Sequence, residues 1–444
     1  MATERLVLSY PRADPRTGRE RMPSLFFVAA AAAREGRSLG TADLAALVSE
    51  DGPDDTPLEL ALDRSERDRW RVRARGEEAA TAIAAGSAFF RQSRLSARAR
   101  WSSRLTAYDG LVAFSPRDGV TAELAAEVSR RLDPVTAPWP ISASRLAVFS
   151  RCGFQYLLEC VLRLEAVEEP EERRRMDPLE RGSVFHEVAE LFLRERRDRG
   201  ELPLRDTPEM RRRLDELADE RLDALVAKSP PRFTTLWEKE RTRFKAGMRD
   251  WLRRELDGVA RGTPAHFELQ FGVSHEGPPG EPHLTEPLAI ELGDGRTLRV
   301  SGKIDRIDRR PDGTLVLRDY KTGRAPRDDG GIFRGGRQLQ IPFYILAAAR
   351  IFPDTPVVEA FLDYVDGGRQ VALDPAAVRA EPFRGLLRGL VDAIARGHFV
   401  QEPAACEWCD FKLVCGPQPL LARRRQIKLN DDRVRQVLRL RDVP

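Results

Sequence analysis

Between residues 314 and 321 the chain alternates as a strand does: Leu315, Leu317, Asp319 and Lys321 fall on one side, and Val316, Arg318 and Tyr320 on the other. Leu298, Val300 and Ile304 mark a preceding strand, and Arg310-Pro311-Asp312-Gly313 has the turn chemistry to fold the two into a hairpin. That pairing brings Asp305 beside Asp319. Elsewhere the period is helical. Ala42–Val48, Glu77–Phe90 and Thr121–Leu132 read as helices, and Pro134–Pro140 as a linker. Ser142 or Ser144 can cap a helix running through Leu146, Phe149, Phe154, Tyr156, Leu157 and Leu162. A second helix from about Pro178 carries Val184, Phe185, Val188, Ala189, Leu191 and Phe192 on one apolar arc, with His186 at its border and Glu190 one turn on. Helices rich in Arg and Glu fill about 207–258, and a β-rich block begins near His266. After the hairpin, Gln338–Phe352 reads as a helix despite Pro342, Ala360–Tyr364 as a strand and Pro382–Gly397 as a helix. This interleaving predicts an α/β fold, a mixed β-sheet flanked by helices, behind a mainly helical N-terminal region.

A chain of 444 residues can hold two or three domains with substantial cores. Its formal charge of +4 permits a polyanionic partner without demanding one. From Pro417 onward eight Lys or Arg stand against three Asp, which describes either a basic patch for a polyanion or a solvated helix face. No run approaches the ~20 apolar residues of a membrane span, and Arg and Asp interrupt the N-terminus, so a cytoplasmic protein is expected. Five cysteines in such a chain point to metal binding before disulfides. There is no G-x-x-x-x-G-K-[ST] loop, so nucleotide hydrolysis is not expected of this chain.

Chemistry concentrates in the hairpin. The chain has 67 Arg and 7 Lys, and one of those few lysines stands at 321, where a compact, tunable charge beside a phosphate does what a planar guanidinium does poorly. An isolated D-x-K would equally describe an exposed ion pair. Two carboxylates and an imidazole, however, suit a hard divalent ion such as Mg or Mn that also binds phosphate, which implies phosphodiester hydrolysis.

Six motifs then occur in one order: Ser142-Ala143-Ser144-Arg145-Leu146 before Cys152 and Phe154; Gly182-x-x-x-His186 with Glu190; Glu268 on a strand; Gly302-x-Ile304-Asp305-Arg306-Ile307-Asp308; Asp319-Tyr320-Lys321-Thr322-Gly323; and Gln340-Ile341-Pro342-Phe343-Tyr344. In these the chain resembles the RecB-type branch of the PD-(D/E)xK nucleases, and is most similar to the C-terminal nuclease region of AddB-type subunits of helicase-nuclease complexes. The resemblance covers about residues 142–415 and implies a restriction-endonuclease-like sheet. It implies that His186, Asp305, Asp319 and the Tyr320 carbonyl hold Mg or Mn, that Lys321 is the catalytic lysine, and that Gln340 and Tyr344 face the substrate backbone, with Gln338 a competitor for the glutamine role. Gly153 stands where this family usually has proline.

Cys406-x2-Cys409-x5-Cys415 with Cys152 supplies four thiolates, enough for Zn or a [4Fe-4S] cluster. Their three-plus-one distribution resembles the iron-sulfur nucleases of this branch and favours the cluster, with structural Zn the alternative and Cys160 a core residue. Leu6-Val7-Leu8-Ser9-Tyr10-Pro11-Arg12 with Pro23-Ser24 resembles the end of an inactivated helicase-like domain. The expected organisation is therefore 1–140 of that kind, a nuclease domain at 141–416 and a basic helical tail at 417–444. The expected activity is a metal-dependent deoxyribonuclease, an exonuclease, working on DNA in double-strand break processing beside an AddA-type helicase-nuclease subunit. The alternatives are a catalytically inactive DNA-binding or scaffold subunit and a stand-alone exonuclease.

Overall fold

The computed structural model describes residues 8, 10, 21–47, 63–112, 121–165, 176–231, 233–258, 262–273, 280–325 and 331–444. They form two compact units, Met1–Asp109 with Pro403–Asn430, and Gly110–Glu402 with Asp431–Pro444. The first opens with α1 (Leu25–Glu35), α2 (Thr41–Leu47), α3 (Arg64–Gly86) and α4 (Ala88–Arg100). The second begins with α5 (Ala122–Leu132), β1 (Ile141–Ser142), α6 (Ala143–Arg151), α7 (Gly153–Tyr156), α8 (Pro178–Asp198), α9 (Pro208–Lys228) and α10 (Thr234–Asp257). It continues with β2 (Thr263–Phe271), β3 (Leu288–Glu291), β4 (Thr297–Arg309), β5 (Leu315–Arg324), α11 (Gln340–Ile351), β6 (Val357–Asp366), β7 (Arg369–Leu373) and α12 (Glu381–Ala395). The chain then returns to the first unit with α13 (Lys412–Cys415) and α14 (Gln418–Ile427), and α15 (Asp432–Leu440) belongs to the second.

In the first unit the helix expected over Glu77–Phe90 is two helices. Ser87 adopts extended backbone, and its hydroxyl accepts the Phe90 N–H at 3.2 Å, which ends α3 and caps α4. Val48 and most of the Leu6–Arg12 stretch lie outside the described residues. The basic C-terminal segment is helical, but its charges are partly spent inside the protein. The Lys428 ammonium is buried, donates to the carbonyls of Ser102 (2.7 Å), Arg104 (2.8 Å) and Ala99 (3.2 Å), and pairs with Asp109 at 3.2 Å.

In the second unit β4 is the spine of a seven-stranded mixed sheet. Its first half lies between β3, antiparallel, and the short parallel β1; its second half lies between β2 and β5, both antiparallel. β6 runs parallel to β5, a pairing that needs a crossover and receives it from α11, and β7 closes the edge antiparallel to β6. Helices flank the sheet. Val188, Phe192, Leu214 and Trp251 of α8, α9 and α10 form one buried core with Phe267 of β2 and Tyr320 of β5. α11 packs along β4, β5 and β6. Because β5 is covered on both sides, Leu315, Val316 and Leu317 are all fully buried, and the charged Arg318 and Asp319 that follow them are buried too.

Two helices differ from expectation for local reasons. The segment through Phe149 and Leu162 is not continuous: α6 is capped by Ser142 and stops at Cys152, whose backbone is extended, before α7 and a π turn over Leu157–Val161. Gly153 sits there because a Cβ would lie 2.9 Å from the Val400 nitrogen and 3.0 Å from the Phe399 backbone. α11 starts at Gln340 and not at Gln338, which places Pro342 in the first turn, where a missing N–H costs no helical hydrogen bond. No helix of the described residues is long and apolar enough to cross a membrane.

Candidate active site

The hairpin forms with the register that brings Asp305 to Asp319. β4 and β5 pair from Arg309–Leu315 to Arg306–Arg318, and past that point the Tyr320 N–H is taken by Asp305 Oδ2 at 2.9 Å. A side chain thus replaces the next rung of the ladder and fixes the first carboxylate against the backbone of the second strand.

Alternation sends Arg306, Asp308, Arg318 and Tyr320 away from Asp305 and Asp319, into a buried ionic lattice. Arg306 donates to Asp308, to Glu255 of α10 (2.7 Å) and to the Tyr320 hydroxyl (2.7 Å), while Arg318 donates to Asp308 (2.7 Å) and reaches Asp363 of β6 at 3.4 Å. Burial pushes the Arg306 pKa down, but Asp308 and Glu255 outweigh it and hold the guanidinium well above its ordinary value. This lattice ties β4, β5, β6 and α10 together directly behind the two carboxylates.

On the near side a cleft of about 620 Å³ is lined by His186, Glu268, Lys303, Asp305, Lys321 and Tyr344, among others. α8 delivers His186: the helix starts at Pro178 under a reciprocal cap between Asp177 and Glu180, and a bidentate pair from Arg181 to Asp366 (2.7 Å each) seats its first turn on β6. His186 Nδ1 lies 3.4 Å from Asp305 Oδ2. Burial pushes the imidazole pKa down against the pull of Asp319 and Glu268, so the ring is neutral at pH 7 and able to ligate.

Asp319 is 1% exposed and lies beneath the cleft. Lys321 Nζ is 2.5 Å from its Oδ2, yet neither Asp319 oxygen makes an aligned hydrogen bond. Burial raises the Asp305 carboxyl well above the carboxylate range, reinforced by Asp319 and Glu268. Burial lowers the Lys321 ammonium, but Asp319 and Asp305 reverse this and leave it above the usual lysine value. Gln340 Oε1 accepts from Lys321 Nζ at 2.5 Å, so Gln340 stands in the site and Gln338, before the helix, does not. One turn on, buried Tyr344 is held well above the usual phenol pKa by burial and by Asp305, Asp319 and Glu268.

Among the described residues, one group of three or more His, Cys, Asp or Glu side chains has all its ligand atoms within 4.8 Å: His186, Glu268 and Asp305. Glu268, present among the motifs but given no role from the sequence, joins this group. It stands in a strand motif, and nothing in the local sequence reveals that its backbone is left-handed. The orphaned oxygens of Asp319, the neutral imidazole and the carboxylates fit a hard divalent cation.

Cys152 is buried at the break after α6, and burial raises its thiol pKa. Cys406, Cys409 and Cys415 lie in the other unit. Cys160 is half-buried.

A family model described as the PD-(D/E)XK nuclease superfamily matches residues 140–416. Curated relatives include the B-type subunit of the ATP-dependent helicase/deoxyribonuclease of Moorella thermoacetica, 29% identical over 237 residues, which covers 51% of this chain and 19% of that protein. Its counterpart in Lacticaseibacillus casei is 29% identical over 255 residues, covering 52% and 20%, and that of Clostridium botulinum is 27% identical over 217, covering 47% and 17%. The chain thus spans about a fifth of the length of these relatives.

Proposed function

The chain belongs to the PD-(D/E)XK nuclease superfamily, and from that premise we propose that its cleft hydrolyses phosphodiester bonds in DNA with the help of Mg or Mn. The observation that carries the reading is Asp319, a buried carboxylate whose oxygens lack aligned hydrogen bonds, set beside Asp305, His186 and a lysine. Asp319 and Asp305 share one nearby ammonium, that of Lys321, so a divalent cation would balance the negative charge that the lysine leaves. His186, Asp305, Asp319 and the Tyr320 carbonyl would hold the ion. A hard divalent cation so held polarises a phosphoryl oxygen and makes bound water more acidic.

The chain's own residues supply the rest. Lys321, braced by Asp319 and Gln340, carries its proton at neutral pH and serves as a fixed positive charge toward the developing phosphate charge. Gln340 and Tyr344, one turn apart on α11, face the substrate backbone. The Arg306 lattice keeps Asp305 and the Tyr320 backbone in place.

The relatives' name joins an ATP-dependent helicase to a deoxyribonuclease. By that kinship the chain would act in the cytoplasm as an exonuclease in double-strand break processing and recombinational repair, beside an AddA-type helicase partner. In this reading 141–416 is the nuclease domain, 1–140 resembles the end of an inactivated helicase-like domain, and 417–444 is a basic tail. Cys152, Cys406, Cys409 and Cys415 would carry a [4Fe-4S] cluster, with a structural zinc ion as the alternative.

The test is cleavage of end-labelled single- and double-stranded DNA by the purified chain with Mg or Mn, with and without the candidate helicase. Asp319→Ala and Lys321→Ala should each abolish cleavage while leaving the fold intact. A wild-type protein that binds DNA and never cuts it would make this an inactive subunit instead.

A further inference from the structure

Lys321 of β5 pairs with Tyr364 of β6, and Tyr364 pairs with Arg369 of β7. Directly paired residues point to the same side of a sheet, so these three stand in one row that runs roughly 10 Å from the cleft lysine to the sheet's edge. Asp363 and Val365, on the other side of β6, face the Arg318 lattice and the α10 core. Tyr364 is partly exposed and Arg369 exposed. Burial raises the Tyr364 hydroxyl pKa against the pull of three cations around it, Lys321, Arg334 and Arg369. The row is braced from behind: Arg181 grips Asp366 with two bonds of 2.7 Å, Arg254 of α10 donates to the Val365 carbonyl at 2.7 Å, and a Cβ on Gly368 would lie 2.8 Å from Arg254 Cδ. Arg334 comes from the loop before α11, where the Phe333 N–H donates to the Pro444 carbonyl at 3.0 Å and the Gly335 N–H to the Val443 carbonyl at 2.8 Å.

Resting on the nuclease reading above, we propose that this row is the path of a single DNA strand beside the cleft, with one base stacked on the Tyr364 ring and the flanking phosphates on Arg334 and Arg369. A partly open aromatic ring set among guanidinium groups offers a single strand both things it presents, a flat unpaired base and a charged backbone. A duplex keeps its bases stacked on one another and has none to lay on the ring, so the row selects single strands. Asp366, the acid that follows on the same side of β6, is already neutralised by Arg181 and does not oppose a phosphate there. An ordinary solvated surface would alternate acids with the arginines; here the register sets a tyrosine between the lysine and Arg369.

The test is fluorescence anisotropy of a labelled oligothymidylate and of a GC-rich blunt duplex with the full chain in EDTA, where binding is read without cleavage. Tyr364→Ala should weaken single-strand binding by about fivefold or more and leave duplex binding unchanged, while Tyr364→Phe, which keeps the ring, should bind like wild type. Arg369→Gln, at an exposed position, should lower the slope of log affinity against log salt by about 0.7 on the single strand. Arg212→Gln, an exposed charge of α9 outside the row, should leave that slope as it is. Circular dichroism establishes that each variant folds, and if Tyr364→Ala does not, Arg369→Gln decides alone. The inference is overturned if folded Tyr364→Ala binds the oligothymidylate like wild type, if it loses single strand and duplex equally, if Arg369→Gln keeps the wild-type slope, or if the wild type binds no single strand. Any of these beside a wild type that cleaves DNA leaves the nuclease reading standing; a wild type that binds single strands through Tyr364 and never cleaves with Mg or Mn overturns that reading and leaves the strand path.

Discussion

His398 shows what burial does to a single titratable group away from the cleft. Its Nδ1 is buried without a hydrogen-bond partner, and burial, with Arg433 and Arg396 nearby, pushes its pKa from 6.5 to about 4. The folded state therefore binds a proton here less readily than the unfolded chain. Stability from this residue is fully present above pH 6.5 and is lost as pH falls toward 4, by about 3 kcal/mol at about 1.4 kcal/mol per pH unit. His398→Phe should flatten that part of the stability curve in denaturant titrations at pH 4.5 and 7.5, and an unchanged slope would refute the assignment. Residue-scale chemistry was legible in the sequence where period and composition spoke together: Asp319 and Lys321 share a strand face by simple alternation, and Lys321 stands out against 67 arginines. Glu268 was legible as a motif glutamate on a strand, but its left-handed backbone was not, because such a conformation at a non-glycine residue is imposed by packing and leaves no local signature.

At the scale of elements, the hairpin's alternation separates two kinds of charge. Asp305 and Asp319 serve the cleft, while Arg306, Asp308, Arg318 and Tyr320 lock the same strands to α10 and β6. A buried lattice of this kind is costly to break, because removing one ion strands its partners. Arg306→Met should destabilise the protein by about 3–5 kcal/mol in equilibrium unfolding, whereas the exposed pair of Arg253 with Asp250 should contribute under about 1 kcal/mol. Equal small losses would mean that the lattice does not hold the strands. The hairpin was legible from sequence by its turn residues and alternation, and α8 by its apolar arc. The break at Cys152 was not, since Gly153 is required by the close approach of Phe399 and Val400, which are far away in the chain. Two-residue β1 is likewise made by pairing with β4 and not by its own composition.

At the scale of the molecule, both compact units are discontinuous, the first joining Met1–Asp109 to Pro403–Asn430. The basic tail expected from 417 onward rests on charge, and charge alone does not show Lys428 turned inward onto the carbonyls of Ala99, Ser102 and Arg104. The cysteines carry a separate prediction. Purified anaerobically, the chain should show broad visible absorption with about four irons per molecule, lost in Cys152→Ala; a colourless protein containing stoichiometric zinc would replace the cluster with a structural metal. The central claim, that the cleft is a nuclease in which carboxylates hold the ion and Lys321 acts on the phosphate, meets its most direct test in Lys321→Ala, assayed in one preparation for Mn²⁺ binding and for cleavage of labelled DNA. The account predicts Mn²⁺ affinity no weaker than wild type and cleavage reduced by about a hundredfold or more. Cleavage that persists near the wild-type rate in this variant would contradict it.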